Sequence, residues 1–599
     1  MSYRKVIFEM VLLILILLNI ASSQNITSEP VITKNLTTIN ESDPVYWYNK
    51  GDALLNASKY NESIEAYNKA IELNQSYAEA WNHKGNAYWD SGNEDAAMDA
   101  YSKAIEINPY FAKAWYNLGA RDFELGRYND SIKNLDRAIG LDSNLEWAWL
   151  VKGHVLIYQA KYDEAIEAYD EAIKLNSSEP IYWILKGEAL GELGKYDEAI
   201  EAYDEAIKLN SSEPIYWIPK GEALGELGKY DEAIEAYDQA IKLNSSEPDY
   251  WNNKGNALRY HEKYDEAIDA YDEAIKLNSS EPSYWNNKGN VLYYNQERPG
   301  EAIEAYDEAI KLNSSEPVYW NNKGNAFYGQ AKYDEAIEAY DQAIKLNSSE
   351  PGYWNLKGFA FYYQDKYDEA IEAYDQAIKL NSSEPGYWNL KGLAFYYQDK
   401  YDEAVEAYDE AIKLNSSEPV YWSNKGDAFY YQDKYDEAIE AYDQAIKLNS
   451  SKPGYWNLKG LAFYYQGEYN EAIEAYDEAI KLNSSEPVYW SNKGNALDKL
   501  DNYAEAIKAY NKARSIDQVY GFNLISIGNS HLESGEYSIA IKYYEEVIKQ
   551  DPKNNLAWYN KGAALRMLHR NAEAEAAYAK ARELGYSGTM TLIEMTTSK

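Results

Sequence analysis

The chain contains no cysteine. That excludes disulfide bridges, a thiolate nucleophile, an iron–sulfur cluster and a lipid-modified N-terminal cysteine. Histidine is nearly as scarce, with five in 599 residues: His83, His154, His261, His531 and His569. A zinc site or an acid–base pair would have to be built almost wholly from carboxylates. Basic residues are outnumbered, 58 Lys and Arg against 98 Asp and Glu, for a net charge of −40. Such a field repels phosphate backbones and anionic headgroups, so nucleic acid is not an expected partner. Phosphate-cradling glycine loops, nucleophile elbows and dinucleotide fingerprints are absent as well. With 45% hydrophobic residues and many aromatics, the acidity does not imply disorder.

Long apolar runs are missing apart from one at the start. Met10 to Ile20 is an apolar segment behind Arg4 and Lys5 and ahead of Ala21-Ser22-Ser23. It falls short of the roughly 20 residues that span a bilayer. Residues 1–23 therefore read as a secretory signal; an uncleaved anchor over Val6 to Ser22, which includes Glu9, is the alternative. The expected location is secreted or cell-surface, with membrane contact only through that segment. Residues 24–43, rich in Ser, Thr and Asn and without apolar periodicity, read as a stalk.

What the sequence does have is a period. Glycines fall at Gly51, Gly85, Gly119, Gly153, Gly187, Gly221, Gly255 and Gly289, then at Gly324, Gly358, Gly392, Gly426, Gly460, Gly494, Gly528 and Gly562. Every step is 34 residues except Gly289 to Gly324, which is 35. With this glycine as position 8, sixteen repeats run over residues 44–588, leaving a tail at 589–599. Neither the stalk nor the tail is long enough for a catalytic domain. Within Pro351 to Glu384, Ala370, Ile371, Tyr374, Ala377 and Ile378 share one helical face, and Trp354, Gly358 and Phe361 form a matching stripe. Small residues at positions 8, 20 and 27 face large ones, Trp at position 4 and Tyr at position 24. Leu524 and Leu135 are the exceptions at those last two positions. The recurring Asn-Ser-Ser-Glu-Pro marks the break between repeats, with serine as the expected N-cap. One hairpin cannot bury its apolar face alone, so stability comes from stacking.

Trp at 4, Gly at 8, Tyr at 17, Ala at 20, Tyr at 24 and Ala at 27 resemble the tetratricopeptide repeat family over most of the chain. The resemblance implies an all-α fold, a right-handed superhelical α-solenoid of tandem helix-turn-helix repeats, whose first helices line a concave groove. Position 7 departs from the family, being mostly Lys (Lys254, Lys357) where an apolar residue is usual, and position 32 carries Ser for Pro in the middle repeats. Pro299 replaces the position-17 Tyr where the extra residue lies, which places the insertion in the turn within the repeat. Pro219 falls inside a first helix, where loss of a backbone hydrogen bond predicts a local bend.

The resemblance assigns positions 2, 5, 6, 9, 12 and 13 to the groove. Position 6 is asparagine at Asn49, Asn117, Asn253, Asn287, Asn322, Asn424, Asn492 and Asn560. This resembles the asparagine ladder in the superhelix of the O-linked N-acetylglucosamine transferase, which holds an extended peptide backbone; an amide both donates and accepts. His83, Val151, Leu185, Pro219, Leu356, Leu390, Leu458 and Ser526 interrupt it, and beside three of the leucines position 5 is asparagine (Asn355, Asn389, Asn457). Positions 12 and 13 form tyrosine pairs: Tyr293–Tyr294, Tyr362–Tyr363, Tyr396–Tyr397, Tyr430–Tyr431 and Tyr464–Tyr465. Phenol and amide groups suit peptides or glycans, whereas inter-helix packing is the alternative use of the tyrosines.

Carboxylates such as Asp368, Glu369, Glu372 and Asp375 recur in nearly every repeat, which marks a solvated face rather than a single catalytic or metal site. Asn-Ser-Ser sequons occur at Asn176, Asn210, Asn244, Asn278, Asn313, Asn347, Asn381, Asn415, Asn449 and Asn483. They read either as glycosylation sites of an exported protein or as turn chemistry copied by duplication. The sequence thus predicts a non-enzymatic extracytoplasmic scaffold that holds a protein or peptide, or alternatively a glycan, without cofactor or metal. A structural acidic rod or spacer is the second expectation.

Overall fold

The computed structural model describes residues 41–517 and 523–587. The signal segment 1–23, all but the last three residues of the stalk, and the tail 589–599 lie outside the described residues. Among the described residues there are 32 α-helices in tandem helix-turn-helix pairs, numbered α1 to α32, and no strand. The chain divides into two compact units, Met1–Asn313 and Ser314–Lys599. The first holds α1 (Pro44–Asn56) through α16 (Pro299–Leu312); the second holds α17 (Pro317–Gly329) through α32 (Asn571–Glu583). The all-α class read from the periodicity is the fold observed.

One repeat of the second unit shows how the sequence builds each pair. Helix α19 spans Pro351–Tyr362 and α20 spans Tyr367–Leu380. Pro351 sits at the first helical position, where its missing N–H costs nothing. The N-cap is Glu350, not serine: its Oε1 accepts the Gly352 N–H at 3.2 Å. The serines are used otherwise, because Ser383 donates its N–H and hydroxyl to Asn381 Oδ1 and is held in that turn. Helix α19 ends because Asp365 takes a left-handed φ of 58°, letting the Lys366 N–H reach back to the Phe361 carbonyl. In the first unit the same position is filled by Gly194 and Gly228, at φ 71° and 72°. On α20 the buried stripe is Ala370, Ala373, Tyr374, Ala377 and Ile378. Ile371, expected in that stripe, is half-buried, and Ala373 takes its place.

The glycine at position 8 is forced by its partner at position 24. A Cβ added to Gly358 would lie 2.5 Å from Tyr374 Cε1, far inside contact distance. The same clash would occur at Gly187 against Tyr203, at 2.4 Å. Only a bare helix backbone lets the tyrosine ring lie flat across it.

Neighbouring repeats are joined by a second set of contacts. The Trp354 indole N–H donates to the Ser348 carbonyl at 3.2 Å, and Trp183 does the same to Ser177 in the first unit. The position-7 lysines, which depart from the family, are explained here. Lys357 Nζ pairs with Asp341 Oδ1 of the preceding repeat at 2.6 Å while lying over the Trp354 and Phe361 rings. A long stem on apolar surface with its charge at the rim does the work of an apolar residue and adds a specific pair. The acidic second helices are also braced rather than merely solvated: Asp368 accepts from Gln398 at 2.9 Å, with Lys400 at 3.6 Å. The Gln398 hydrogen bond, then Lys400, holds the Asp368 carboxyl below its ordinary range.

Two irregularities resolve simply. The extra residue lies in the turn 295–298, before Pro299 opens α16, as the sequence reading placed it. Pro219 is carried inside an unbroken helix, α11 (Pro214–Glu226), of the same 13-residue length as α9 (Pro180–Glu192).

Candidate functional site

The position-6 asparagines are brought together with position 5 of the repeat before. Asn117 Nδ2 donates to Asn82 Oδ1 at 2.9 Å, Asn287 to Asn252 at 3.0 Å, Asn424 to Asn389 at 2.9 Å and Asn492 to Asn457 at 2.9 Å. Asn560 reaches Asn529 instead, at 2.7 Å. Asn117 also reaches Asn86 Oδ1 at 3.3 Å, and through these bonds the asparagines tie successive first helices together. Asn322 is buried, Asn253 half-buried and Asn49 exposed at the start of the array. Positions 5 and 6, which look like alternatives in the sequence, are halves of one hydrogen-bonded pair.

The tyrosine pairs divide by position. Tyr362, Tyr396, Tyr430 and Tyr464 are half-buried, whereas Tyr363, Tyr397, Tyr431 and Tyr465 are 53% to 57% exposed. Each exposed ring stacks on the position-17 tyrosine of the preceding repeat. Tyr397 lies on Tyr367 at 5.9 Å and 15°, Tyr431 on Tyr401 at 5.9 Å and 15°, and Tyr465 on Tyr435 at 6.4 Å and 20°. The half-buried ring stands edge-on to both, Tyr362 being 5.6 Å from Tyr367 and 5.7 Å from Tyr397. The result is a continuous phenol ribbon along the helix-turn-helix edge of the second unit. Position 17 supplies one ring in three, and the sequence reading used that tyrosine only as a family marker. The Tyr367 hydroxyl donates to Asp365 Oδ1 at 2.7 Å, which with partial burial pushes its pKa up to about 12. Burial, then the Tyr397 phenol, raises Tyr362 further. Tyr362 and Tyr367 therefore keep their protons throughout the physiological range. In the first unit Tyr293 and Tyr294 form one T-shaped pair, 4.6 Å apart.

A relation between positions 9 and 24 went unread in the sequence. The buried tyrosine hydroxyl at 24 donates to position 9: Tyr101 to Asn86 at 2.8 Å, Tyr271 to Asn256 at 2.8 Å, Tyr510 to Asn495 at 2.9 Å. Where position 9 is Phe359, Leu393 or Leu461, the hydroxyls of Tyr374, Tyr408 and Tyr476 are buried without a protein partner. At Asp427 the partner is a carboxylate, which burial raises to about 6 against the Tyr442 hydrogen bond. Co-occurrence of Asn at 9 with Tyr at 24 was the available signal.

The histidines are structural in their surroundings. His83 Nδ1 lies 2.7 Å from Asp52, which also accepts from Tyr67 at 2.6 Å. His154 is buried and gives its Nδ1–H to the Leu150 carbonyl at 3.0 Å; burial lowers it to about 4. Among the described residues no group of three or more His, Asp and Glu is arranged to hold a metal ion. The sequon asparagines cap the ends of second helices. Asn176, Asn210, Asn244, Asn278, Asn347, Asn381, Asn415, Asn449 and Asn483 each accept from the serine two residues on, as in Ser212 Oγ to Asn210 at 2.6 Å. Asn313 caps its helix in the same way.

In the first unit, position 12 is glycine at Gly191 and Gly225. Beside Gly191 lies a cavity of about 140 Å³ bordered by Tyr169, Glu188, Gly191, Glu192, Tyr203 and Glu222.

The tetratricopeptide repeat profile matches residues 48–110, 150–214, 525–587 and a series of overlapping segments from 218 to 519. No curated protein matches the chain. Among solved structures, yeast Tom70 is 16% identical at a TM-score of 0.32, covering 80% of this chain and 98% of its own. The APC/C hetero-tetramer Cut9–Hcn1 is 15% identical at 0.31, covering 77% and 99%. YrrB, described as a TPR protein with an unusual peptide-binding site, is 23% identical at 0.28, covering 30% and 94%. With the profile matched over more than half of its length, and with helix pairs phased to that match, the chain belongs to the tetratricopeptide repeat family.

Proposed function

We propose that this chain is an exported, non-enzymatic scaffold of sixteen repeats that binds an extended peptide or protein partner. The observation that carries the reading is the phenol ribbon of the second unit. Tyr363, Tyr397, Tyr431 and Tyr465 keep more than half their surface exposed although each is held rigidly by a stacked neighbour. Rigid amphipathic rings give contact area at low entropic cost, which is why tyrosine dominates adaptable binding surfaces. A repeated row of them suits a partner that runs along the repeats. The asparagine pairs add donors and acceptors beside the first helices, after giving one N–H to their own stacking.

The test is selection of peptides from a displayed random library on the full chain. Enriched peptides should lose binding to a triple variant, Tyr363→Ala, Tyr397→Ala and Tyr431→Ala, and keep most of it in the matching phenylalanine variant. Peptides that bind the alanine variant undiminished would sink the reading.

The second reading, a structural glycosylated rod, draws on the sequons. Their serines are exposed and the sequon recurs in ten successive repeats on the turn after the second helix. Mass spectrometry of the mature protein distinguishes the two and also reads whether residues 1–23 are removed.

A further inference from the structure

We propose that the cavity of the first unit is a subsite for one basic side chain, arginine or lysine, of an extended peptide. The proposal deepens the scaffold reading and rests on it for the peptide that carries the cation.

The cavity has three properties that together select a cation on an aliphatic stem. Its polar lining is carboxylate and phenol: Glu188, Glu192 and Glu222 with Tyr169, Tyr196 and Tyr203. Its remaining wall is apolar, from Ile157, Leu185 and Pro219. Its volume of about 140 Å³ is below the roughly 300–1,000 Å³ of small-molecule sites, and an apolar cavity of about 150 Å³ accepts one benzene ring. The space fits a side chain, not a cofactor.

A second observation sets this place apart from the other partnerless tyrosines, because here the unpaired hydroxyl belongs to a ring that lines a cavity. Tyr169 is fully buried, borders the cavity, and its hydroxyl has no protein hydrogen-bond partner. A buried phenol without a partner bears the full desolvation cost of that group, which a bound donor or acceptor would relieve. The cause is local. Position 9 of its repeat is His154, which gives its Nδ1–H to Leu150 and meets the Tyr169 ring at 87° rather than accepting its hydroxyl. In other repeats Asn86, Asn256 or Asn495 performs that duty. The opening itself comes from Gly191, where an added Cβ would meet only Tyr203 Oη, at 4.0 Å. The second unit carries tyrosine at that position, as at Tyr362 and Tyr396, so the side chain that would fill the space is absent here. A guanidinium or ammonium entering between the glutamates donates to carboxylates, of which Glu188 and Glu222 are half-buried, and such charge-assisted bonds are the strong ones. Its alkyl stem lies along Ile157, Leu185 and Pro219.

The experiment is calorimetric titration of the full chain with a blocked peptide, acetyl-Gly-Gly-Arg-Gly-Gly-amide. The same peptide with norleucine for arginine and free agmatine serve as the other two probes. The arginine peptide should bind and the norleucine peptide should not. Glu188→Gln with Glu222→Gln should weaken the arginine peptide by more than about tenfold, the loss of one charge-assisted bond. Tyr169→Phe should weaken it by less. Gly191→Tyr, which leaves every charge in place and copies the second unit, should abolish binding by filling the space. Equal affinity for norleucine and arginine, or undiminished affinity in the double glutamine and Gly191→Tyr variants, overturns the proposal. Agmatine binding without peptide binding overturns it too, by assigning the cavity to a free amine. Peptides selected on the tyrosine ribbon should be unaffected by all these variants, so failure here leaves the scaffold reading standing.

Discussion

Residues 153–226 of the first unit and 317–466 of the second are written in nearly the same 34-residue text, yet they present different chemistry. Both use Gly at position 8 beneath Tyr at 24, Trp at 4 against the turn, and Lys at 7 paired with the preceding repeat. They differ at positions 9, 12 and 13. His, Glu and Gly there open an acidic cavity; Phe, Leu or Asp with Tyr-Tyr build a phenol ribbon. The lesson is that stacking fixes the backbone and frees a few positions per repeat to be rewritten without loss of the fold.

The sharpest way to break this comparison is to remove the position-24 ring in each region. Tyr374→Ala should cost about 3–5 kcal/mol, the range for deleting a fully buried aromatic. Tyr203→Ala should cost less, because its hydroxyl end already borders an open cavity and fewer contacts are lost. Hydrogen exchange in the flanking helices is the measurement, since repeat arrays do not unfold as one step.

Acidification should act with opposite sign on the two regions. His154 is held neutral by burial, with its pKa lowered from 6.5 to about 4. Its contribution is present above pH 6.5 and is lost as pH falls toward 4, by up to about 3 kcal/mol. Asp427 is raised from 3.8 to about 6 by burial, so its contribution is present below 3.8 and is lost as pH rises through 6, to a similar extent. Local exchange rates between pH 4 and 7 should therefore rise around α7 (Glu146–Tyr158) on acidification and fall around α23 (Pro419–Tyr431). His154→Asn and Asp427→Asn should flatten each profile; identical profiles before and after substitution would count against the assignment.

A smaller effect separates satisfied from orphaned hydroxyls. Tyr101→Phe breaks the bond to Asn86 and should cost about 1 kcal/mol, whereas Tyr374→Phe removes a partnerless hydroxyl and should be neutral or stabilising. Local hydrogen exchange in the helices around each substitution decides it. Smallest is Lys357→Ala, which loses a partly exposed pair and two ring contacts, about 0.5–1 kcal/mol and weakened further by salt. A loss above about 2 kcal/mol would show that the lysine stem packs as a core residue.

Much of this was legible in the chain itself. The helix pairs, their turns, the place of the extra residue before Pro299 and the match of glycine with tyrosine all follow from spacing. The N-cap was misread because serine is the stronger intrinsic capper, yet here Asn at the helix end claims the serine first. The asparagine ladder was half-read: its residues were visible, but their bonding to the previous repeat depends on a register between hairpins that spacing within one repeat cannot supply. The ribbon was read as pairs for the same reason, since Tyr367 and Tyr397 are 30 residues apart and meet only across the stack.

The period of 34, the recurrence of glycine and tyrosine at fixed positions within it and the acidic charge were settled by sequence alone, because each is a local or additive property of the chain. Which hydroxyls find partners, which tyrosines stack and where a glycine leaves usable space were settled only by tertiary structure. Those outcomes depend on distances between side chains of successive repeats, and a difference of one group at position 9 or 12 is enough to change them.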